Sequence, residues 1–213
     1  MLRFEGLEQQ HPGGPRLRFA DAALARGETA LLLGPSGSGK STLLQLAAGL
    51  LAPTRGEVWL DGQPLSALAE AARDRLRGAR VGLVFQRLHL IPALDVAGNL
   101  ALARRLAGRP ADPARIHQLL AVLGIEALAG RRPHQLSLGQ AQRVAIARAL
   151  VHAPGLILAD EPTAALDDAA AEAVARLLLE QASAQGAALL IVTHDARLRP
   201  WVARHWQLPA VAA

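Results

Sequence analysis

Chemistry is concentrated first in one string, Gly34-Pro35-Ser36-Gly37-Ser38-Gly39-Lys40-Ser41, with Thr42 directly behind it. The spacing, GxxxxGK and then Ser or Thr, is that of a phosphate-binding loop when an apolar strand precedes it and a helix follows. Residues 29–33 have the strand pattern and 42–51 the helix pattern. Glycines let the backbone curl until successive N–H groups converge on phosphate oxygens, and the helix adds its positive end. Lys40 then neutralises the β and γ phosphates of a nucleotide, Ser41 offers its hydroxyl to Mg2+, and Thr42 reaches the α phosphate.

Such a loop serves nucleotide kinases as readily as hydrolases, so a second feature has to separate them. An apolar run, 156–159, ends in Asp160 and Glu161. Consecutive residues leaving a strand point to opposite sides, so Asp160 can hold the metal through water while Glu161 faces a water behind the γ phosphate. That division of labour suits hydrolysis.

These residues need elements that bring them together. Four apolar runs stop abruptly at polar residues: 29–33 before Gly34, 81–85 before Gln86, 156–159 before Asp160, and 189–193 before His194. Open parallel sheets bind ligands beyond the carboxyl ends of their strands, so the four runs predict one shared site on an α/β fold. Between the second and third runs, Asp112 and Pro113 start a helix whose apolar face is Ile116, Leu119, Leu120 and Leu123, with Gly124 beyond it. Residues 87–150 are therefore expected to be a largely helical insertion. The first 30 residues and 57–60 read as strands of an antiparallel subdomain, and 167–184 as a surface helix with Val174, Leu177 and Leu178 inward.

The 213 residues, 51% apolar and 19% charged, suit one globular domain, and the absence of cysteine is compatible with a reducing compartment. No apolar stretch reaches the ~18 residues of a membrane span, and the start of the chain does not read as an export signal. The net charge is +5, but Lys40 is the one lysine and the arginines are scattered, so no nucleic-acid partner is expected. Arg73, Arg77 and Arg80 share one helix face, which suits a solvated face better than contact with anionic headgroups.

Leu136-Ser137-Leu138-Gly139-Gln140 and the helical run 141–150 add a further motif. Taken in order, the phosphate loop, Gln86, the 136–140 segment, Asp160-Glu161-Pro162, Ala165-Leu166-Asp167 and His194 resemble the ATP-binding cassette of ABC transporters along nearly the whole chain. Leu76-Arg77, 81–86 and Leu90-Ile91-Pro92 are similar to the subgroup serving lipoprotein release, macrolide export and the cell-division pair. The implied fold is a P-loop NTPase core of mostly parallel sheet with an N-terminal antiparallel β subdomain and a helical insertion. The expected domain is 1–213, with about 1–86 and 151–213 as core and about 87–150 as helical subdomain.

The resemblance implies two copies bound head to tail around two ATP molecules with Mg2+. Each ATP would lie between one copy's phosphate loop and the other copy's Ser137, Gly139 and Gln140. The start of the helix behind Ser137 gives this a physical basis, through a hydroxyl and a positive helix end. It also implies that Gln86 senses metal and water, that His194 holds the γ phosphate and orients the water, and that Asp167 reaches the dimer interface, although Asp167 also suits a helix cap. The family stacks adenine on a Tyr. This chain has none, and His11 stands roughly in that place, with Phe4 and Phe19 as alternatives. Leu138 replaces a family Gly. The other histidines, His152 among them, read as surface or packing residues.

The expected function is a homodimeric ATPase that drives a separate integral membrane permease, peripheral to the cytoplasmic face of the inner membrane. Segment 87–94, with Leu88, Leu90 and Ile91, is the candidate permease groove, ordinary core being the alternative. Other readings are a regulatory cassette on a non-transporting membrane protein and, less favoured, a nucleotide kinase. A chromosome or DNA-repair ATPase head is disfavoured because no sustained heptads separate Lys40 from Leu136.

Overall fold

The chain runs through β1 (Leu2–Gln10), β2 (Arg16–Arg18), β3 (Ala22–Leu24) and β4 (Thr29–Leu33) into α1 (Lys40–Ala47), then β5 (Arg55–Leu60) and β6 (Gln63–Pro64). It continues as α2 (Glu70–Arg80), β7 (Val81–Val84), α3 (Val96–Leu106), α4 (Pro113–Val122), α5 (Leu138–Leu150), β8 (Leu156–Asp160), α6 (Asp168–Ala184), β9 (Ala188–Val192) and β10 (Arg204–Gln207). This computed structural model describes residues 1–164 and 166–210, so Ala165 of the 165–167 motif lies outside the described residues.

One sheet is wholly parallel, in the order β10-β4-β9-β8-β7. The other is antiparallel, β2-β1-β5-β6, with β3 also on β1. The antiparallel sheet thus combines the first three strands with the 57–60 run, as the sequence suggests. The parallel strands are apolar on both faces because each face has its own core. Leu31, Leu33, Ile157, Ala159, Leu189 and Ile191 join the cluster containing α3, α4, α5 and α6 residues. The residues between them, Ala30, Leu32, Leu156, Leu158, Leu190 and Val192, join α1 and the antiparallel sheet. Alternation with period two is what assigns them to opposite sides.

Helix α1 begins at Lys40, two positions before the expected start, because Gly39 at φ 90° takes the left-handed conformation that launches it. On α4, Asp112 accepts from the Arg115 N–H, Pro113 opens the helix, and Ile116, Leu119 and Leu120 are buried, as the pattern requires. Helix α6 is capped by Asp167, which accepts from Ala170 N at 2.8 Å, and buries Val174 and Leu178. Helix α5 presses on β7 so closely that a Cβ on Gly82 would meet the Ala149 carbonyl oxygen at 2.3 Å.

Of the four arginines of α2, Arg77 and Arg80 are engaged with polar groups of the chain. Arg77 donates to Asp74 at 2.7 Å and to the Gly49 carbonyl at 3.2 Å, and Arg80 pairs with Asp61 at 3.2 Å. Arg73 carbons lie within 3.4 Å of a Cβ built on Gly49. No helix among the described residues is long and apolar enough to cross a membrane.

Candidate active site

The four polar strand exits foreseen from the sequence meet on one edge. β4, β9, β8 and β7 are neighbours and run in the same direction, with Leu32 opposite Val192, Val192 opposite Asp160, and Ala159 opposite Val84. Asp160 closes β8, and Gly34, His194 and Gln86 lie just beyond the ends of β4, β9 and β7. Gln86 itself is exposed beyond β7.

In the loop, Gly37 at φ 78° and Gly39 at φ 90° supply the curl that a side chain would resist. Helix α1 has neither a side-chain cap nor an acidic residue in its first turn, so its leading N–H groups are available to an anion. Lys40 is buried, and its Nζ donates to the Gly34 and Pro35 carbonyls at 2.9 and 3.0 Å, which keeps the ammonium over the loop.

Ser41 Oγ donates to Asp160 Oδ1 at 3.4 Å, so the hydroxyl and carboxylate of the expected metal pair converge across the interval between α1 and β8. Burial raises the Asp160 pKa; the Ser41 hydrogen bond opposes this, Glu161 reinforces it and Lys40 opposes it. A desolvated carboxylate beside a hydroxyl fits a hard divalent cation that keeps waters and shares phosphate oxygens. No group of three or more His, Cys, Asp or Glu able to hold a metal on their own exists among the described residues.

Glu161 turns the other way. Its φ of 46° is left-handed, a conformation costing a non-glycine residue roughly 1–2 kcal/mol, and its N–H donates to the Val192 carbonyl at 2.8 Å. The carboxylate meets the segment leaving β9. Thr193 Oγ1 donates to Glu161 Oε2 at 3.0 Å, His194 N donates to the same oxygen at 3.4 Å, and His194 Nδ1 lies 2.8 Å from Oε1. Thr193 is fully buried. The sequence points to His194 and not to Thr193, since a hydroxyl residue closing a strand looks like any other strand residue.

His11 lines a cavity of about 310 Å3 together with Leu17, Gly37, Gly39, Lys40, Ser41 and Thr42. Phe4 and Phe19, the alternative adenine platforms, are buried in the core at 1% and 6% exposure, and Phe4 packs edge-on to Trp206. Neither lines the cavity beside the phosphate loop, as His11 does.

Ser137 caps α5 by accepting from Gln140 N at 3.3 Å, and the Gln140 side chain accepts in return from Ser137 N at 2.9 Å. Both side chains therefore build the helix start, a capping box. Leu138 occupies the first helical position with its side chain 53% exposed and is not among the positive-φ residues, so the replacement of a family Gly imposes no backbone strain. A Cβ on Gly139 would meet nothing within 4 Å, so this helix start is open.

Two further contacts are not evident from the sequence, one spanning 20 residues of chain and the other closing a local turn over eight. Buried Gln142 of α5 donates to the Pro162 carbonyl at 2.8 Å. Asn99 accepts from Ile91 N at 2.8 Å and donates to the Ile91 and Asp95 carbonyls at 3.2 and 2.9 Å, fixing the turn after Gln86. Beside that turn, Leu83, Phe85, Ile91, Leu106, Arg148 and His152 line a groove of about 290 Å3. In it Ile91 and Leu106 stay 39% and 74% exposed. His152 is a packing residue here, and burial lowers its pKa to about 4.

The sequence profile of the ABC transporter family matches residues 17–164. A dimeric structure of the ATP-binding cassette MJ0796 in a post-hydrolysis state, bound to ADP and Pi, is 34% identical over 98% of this chain and 94% of that one, with a TM-score of 0.88. Another dimeric structure of MJ0796, a bacterial ABC transporter cassette, is 34% identical over 98% and 94%, with a TM-score of 0.89. CbiO1 from Clostridium perfringens, part of the ABC transporter complex cbiONQ, is 33% identical over 94% of this chain and 80% of that one, with a TM-score of 0.83. The chain belongs to the ABC transporter family, as an ATP-binding cassette and an ATPase.

Proposed function

We propose that two copies of this chain close around two ATP molecules and drive a separate membrane permease of the lipoprotein-release or macrolide-export type. The observation that carries this reading is the position of Ser137, Gly139 and the open α5 start. They form a second anion cradle that one copy has no use for, since its own loop and α1 already hold a triphosphate.

In this reading residues 34–42 bind the phosphates, with Lys40 exchanging its loop carbonyls for the β and γ oxygens. Ser41 and Asp160 hold Mg2+, with Gln86 completing the set as the nucleotide arrives. The cation's chemistry is to neutralise the triphosphate and align it for in-line attack. Glu161 is the general base, taking a proton from water at Oε1 or Oε2, and His194 orients that water and the γ phosphate. His11 covers the base. Ser137, Gly139 and Gln140 close over the γ phosphate from the partner copy, and Asp167 lies at the interface between them. The helical insertion 87–150 carries the permease groove around 87–94, consistent with the exposed Ile91 and Leu106. The subunit is thereby peripheral to the inner face of the membrane.

Glu161→Gln tests this reading. It is expected to lower turnover by about 10²- to 10⁴-fold and to accumulate an ATP-loaded dimer in size-exclusion chromatography with Mg-ATP. A variant that stays monomeric under saturating Mg-ATP, alone and with its permease, refutes the shared-site reading.

A further inference from the structure

We infer that Asp195 is a positioning residue: through Thr163 and Thr193 it holds the segments leaving β8 and β9 in the one arrangement that sets Glu161 against His194. The inference rests on the ATPase reading of Glu161 and adds to it a residue that acts through Thr163 and Thr193.

The hydrogen bonds close a ring. Glu161 Oε2 accepts from Thr193 Oγ1 at 3.0 Å, Thr193 Oγ1 accepts from Asp195 N at 2.9 Å, and Asp195 Oδ2 accepts from Thr163 Oγ1 at 3.1 Å. Thr163 then returns to Glu161 along the chain. Thr163 and Thr193 are 1% and 0% exposed, so neither hydroxyl can take water as a substitute partner. A hydroxyl has one hydrogen. Thr193 gives its hydrogen to the carboxylate and so must accept from Asp195 N, which fixes the sense of the ring.

Arg197 fixes Asp195 in turn. Its Nε donates to Oδ1 and Oδ2 at 2.8 and 3.0 Å and its Nη2 to Oδ2 at 2.7 Å, a fork geometry that leaves the carboxylate one orientation. Arg197 Nη1 also donates to Asp168, the first residue of α6 and the neighbour of its cap, Asp167. The arginine chiefly, by this hydrogen bonding, holds the Asp195 carboxyl down at about 2, so it is ionised throughout the working range.

The ring accounts for the left-handed backbone at Glu161. A residue with φ 46° persists only where its surroundings over-determine it, and here the carboxylate is anchored by Thr193 while the following residues are anchored through Thr163. Release of one anchor frees the general base to leave its mark, and misplacement by about 1 Å costs about 100-fold in rate.

The test uses the intact chain, with Asp195→Asn and Thr163→Val made singly and together. Each single variant is expected to reduce kcat for Mg-ATP by about 10- to 100-fold with KM within about twofold. The double variant should be no worse than the poorer single one, since each breaks the same ring. The distinguishing readout is the nitrogen NMR signal of His194 in histidine-labelled protein. It should shift in both variants as the Nδ1 contact with Glu161 loosens, whereas a merely structural change elsewhere leaves it in place. Unchanged kcat, or a fall in kcat with the His194 signal unmoved, overturns the inference. If Asp195→Asn does not fold, Thr163→Val, which leaves the Asp195–Arg197 pair whole, decides by the same two readouts. Should the wild-type chain itself show no turnover, the ATPase reading fails, and the His194 signal in the variants still decides whether Asp195 positions it.

Discussion

His194 Nδ1 and Glu161 Oε1 stand 2.8 Å apart across 33 residues of chain. The pair exists because β8 and β9 are adjacent and parallel, with Asp160 level with Val192, so the residues just beyond each strand are thrown together. The glutamate side chain is only 11% exposed while the histidine is 67% exposed. The acid is thus held in the protein while the imidazole faces outward, where a phosphate or water can reach it.

Lys40→Ala should remove the one ammonium poised over the loop and abolish Mg-ATP binding in calorimetry, with the fold retained by circular dichroism. Normal binding by that variant would contradict the assignment of residues 34–42.

The Asp160 carboxyl, raised above its ordinary 3.8 chiefly by burial, gives a pH-dependent stability with a definite sign. The folded chain binds this proton more tightly than the unfolded chain does, so stability declines as pH climbs from about 4 through the raised value. Asp160→Asn is therefore expected to melt higher than wild type at pH 7 in the absence of Mg2+ and nucleotide, the gap narrowing toward pH 4. Asp195 behaves oppositely. Held at about 2, its contribution is present above about 4 and fades as pH falls toward 2. Differential scanning calorimetry across pH 2 to 7 (roughly the window these shifts define) reads both.

If His11 covers the base, His11→Ala should raise KM for ATP several-fold with kcat little changed, because ground-state and transition-state binding are lost together. Equal KM values for wild type and variant would separate His11 from the nucleotide. His11→Tyr should lower KM, since a larger ring offers more stacking area.

Ile91→Glu combined with Leu106→Glu places charge on the exposed apolar rim of the groove. Co-expressed with its permease, this variant should be lost from the membrane pellet on sedimentation while wild type is retained. Equal retention would move the docking surface elsewhere.

Much of this was legible beforehand, for identifiable reasons. The phosphate loop, the paired acids and the α4 cap are local patterns, and the strand exits follow from apolar runs that end at polar residues. Lys40 shows where local reading stops: it falls inside α1, and the helix begins earlier than the run of good helix formers because Gly39 supplies the turn. Ring-forming Thr193, Thr163 and Asp195 were invisible because their partners are set by strand order, which spacing along the chain does not encode. Similarly, Phe4 and Phe19 look available as base platforms until the two sheets close over them. Arg77 and Arg80 of α2 look free until Asp61, Asp74 and Gly49 arrive beside them.

Gln142 gives the proposed pairing of copies a mechanical meaning. It sits five positions along the same helix that Ser137 opens, about 7.5 Å up the axis, and grips the carbonyl immediately after the base. A rigid rod of that length does not absorb displacement. Under that proposal, a neighbouring copy's triphosphate seated at the start of α5 would rest on a helix tied, five residues on, to the turn that carries Glu161.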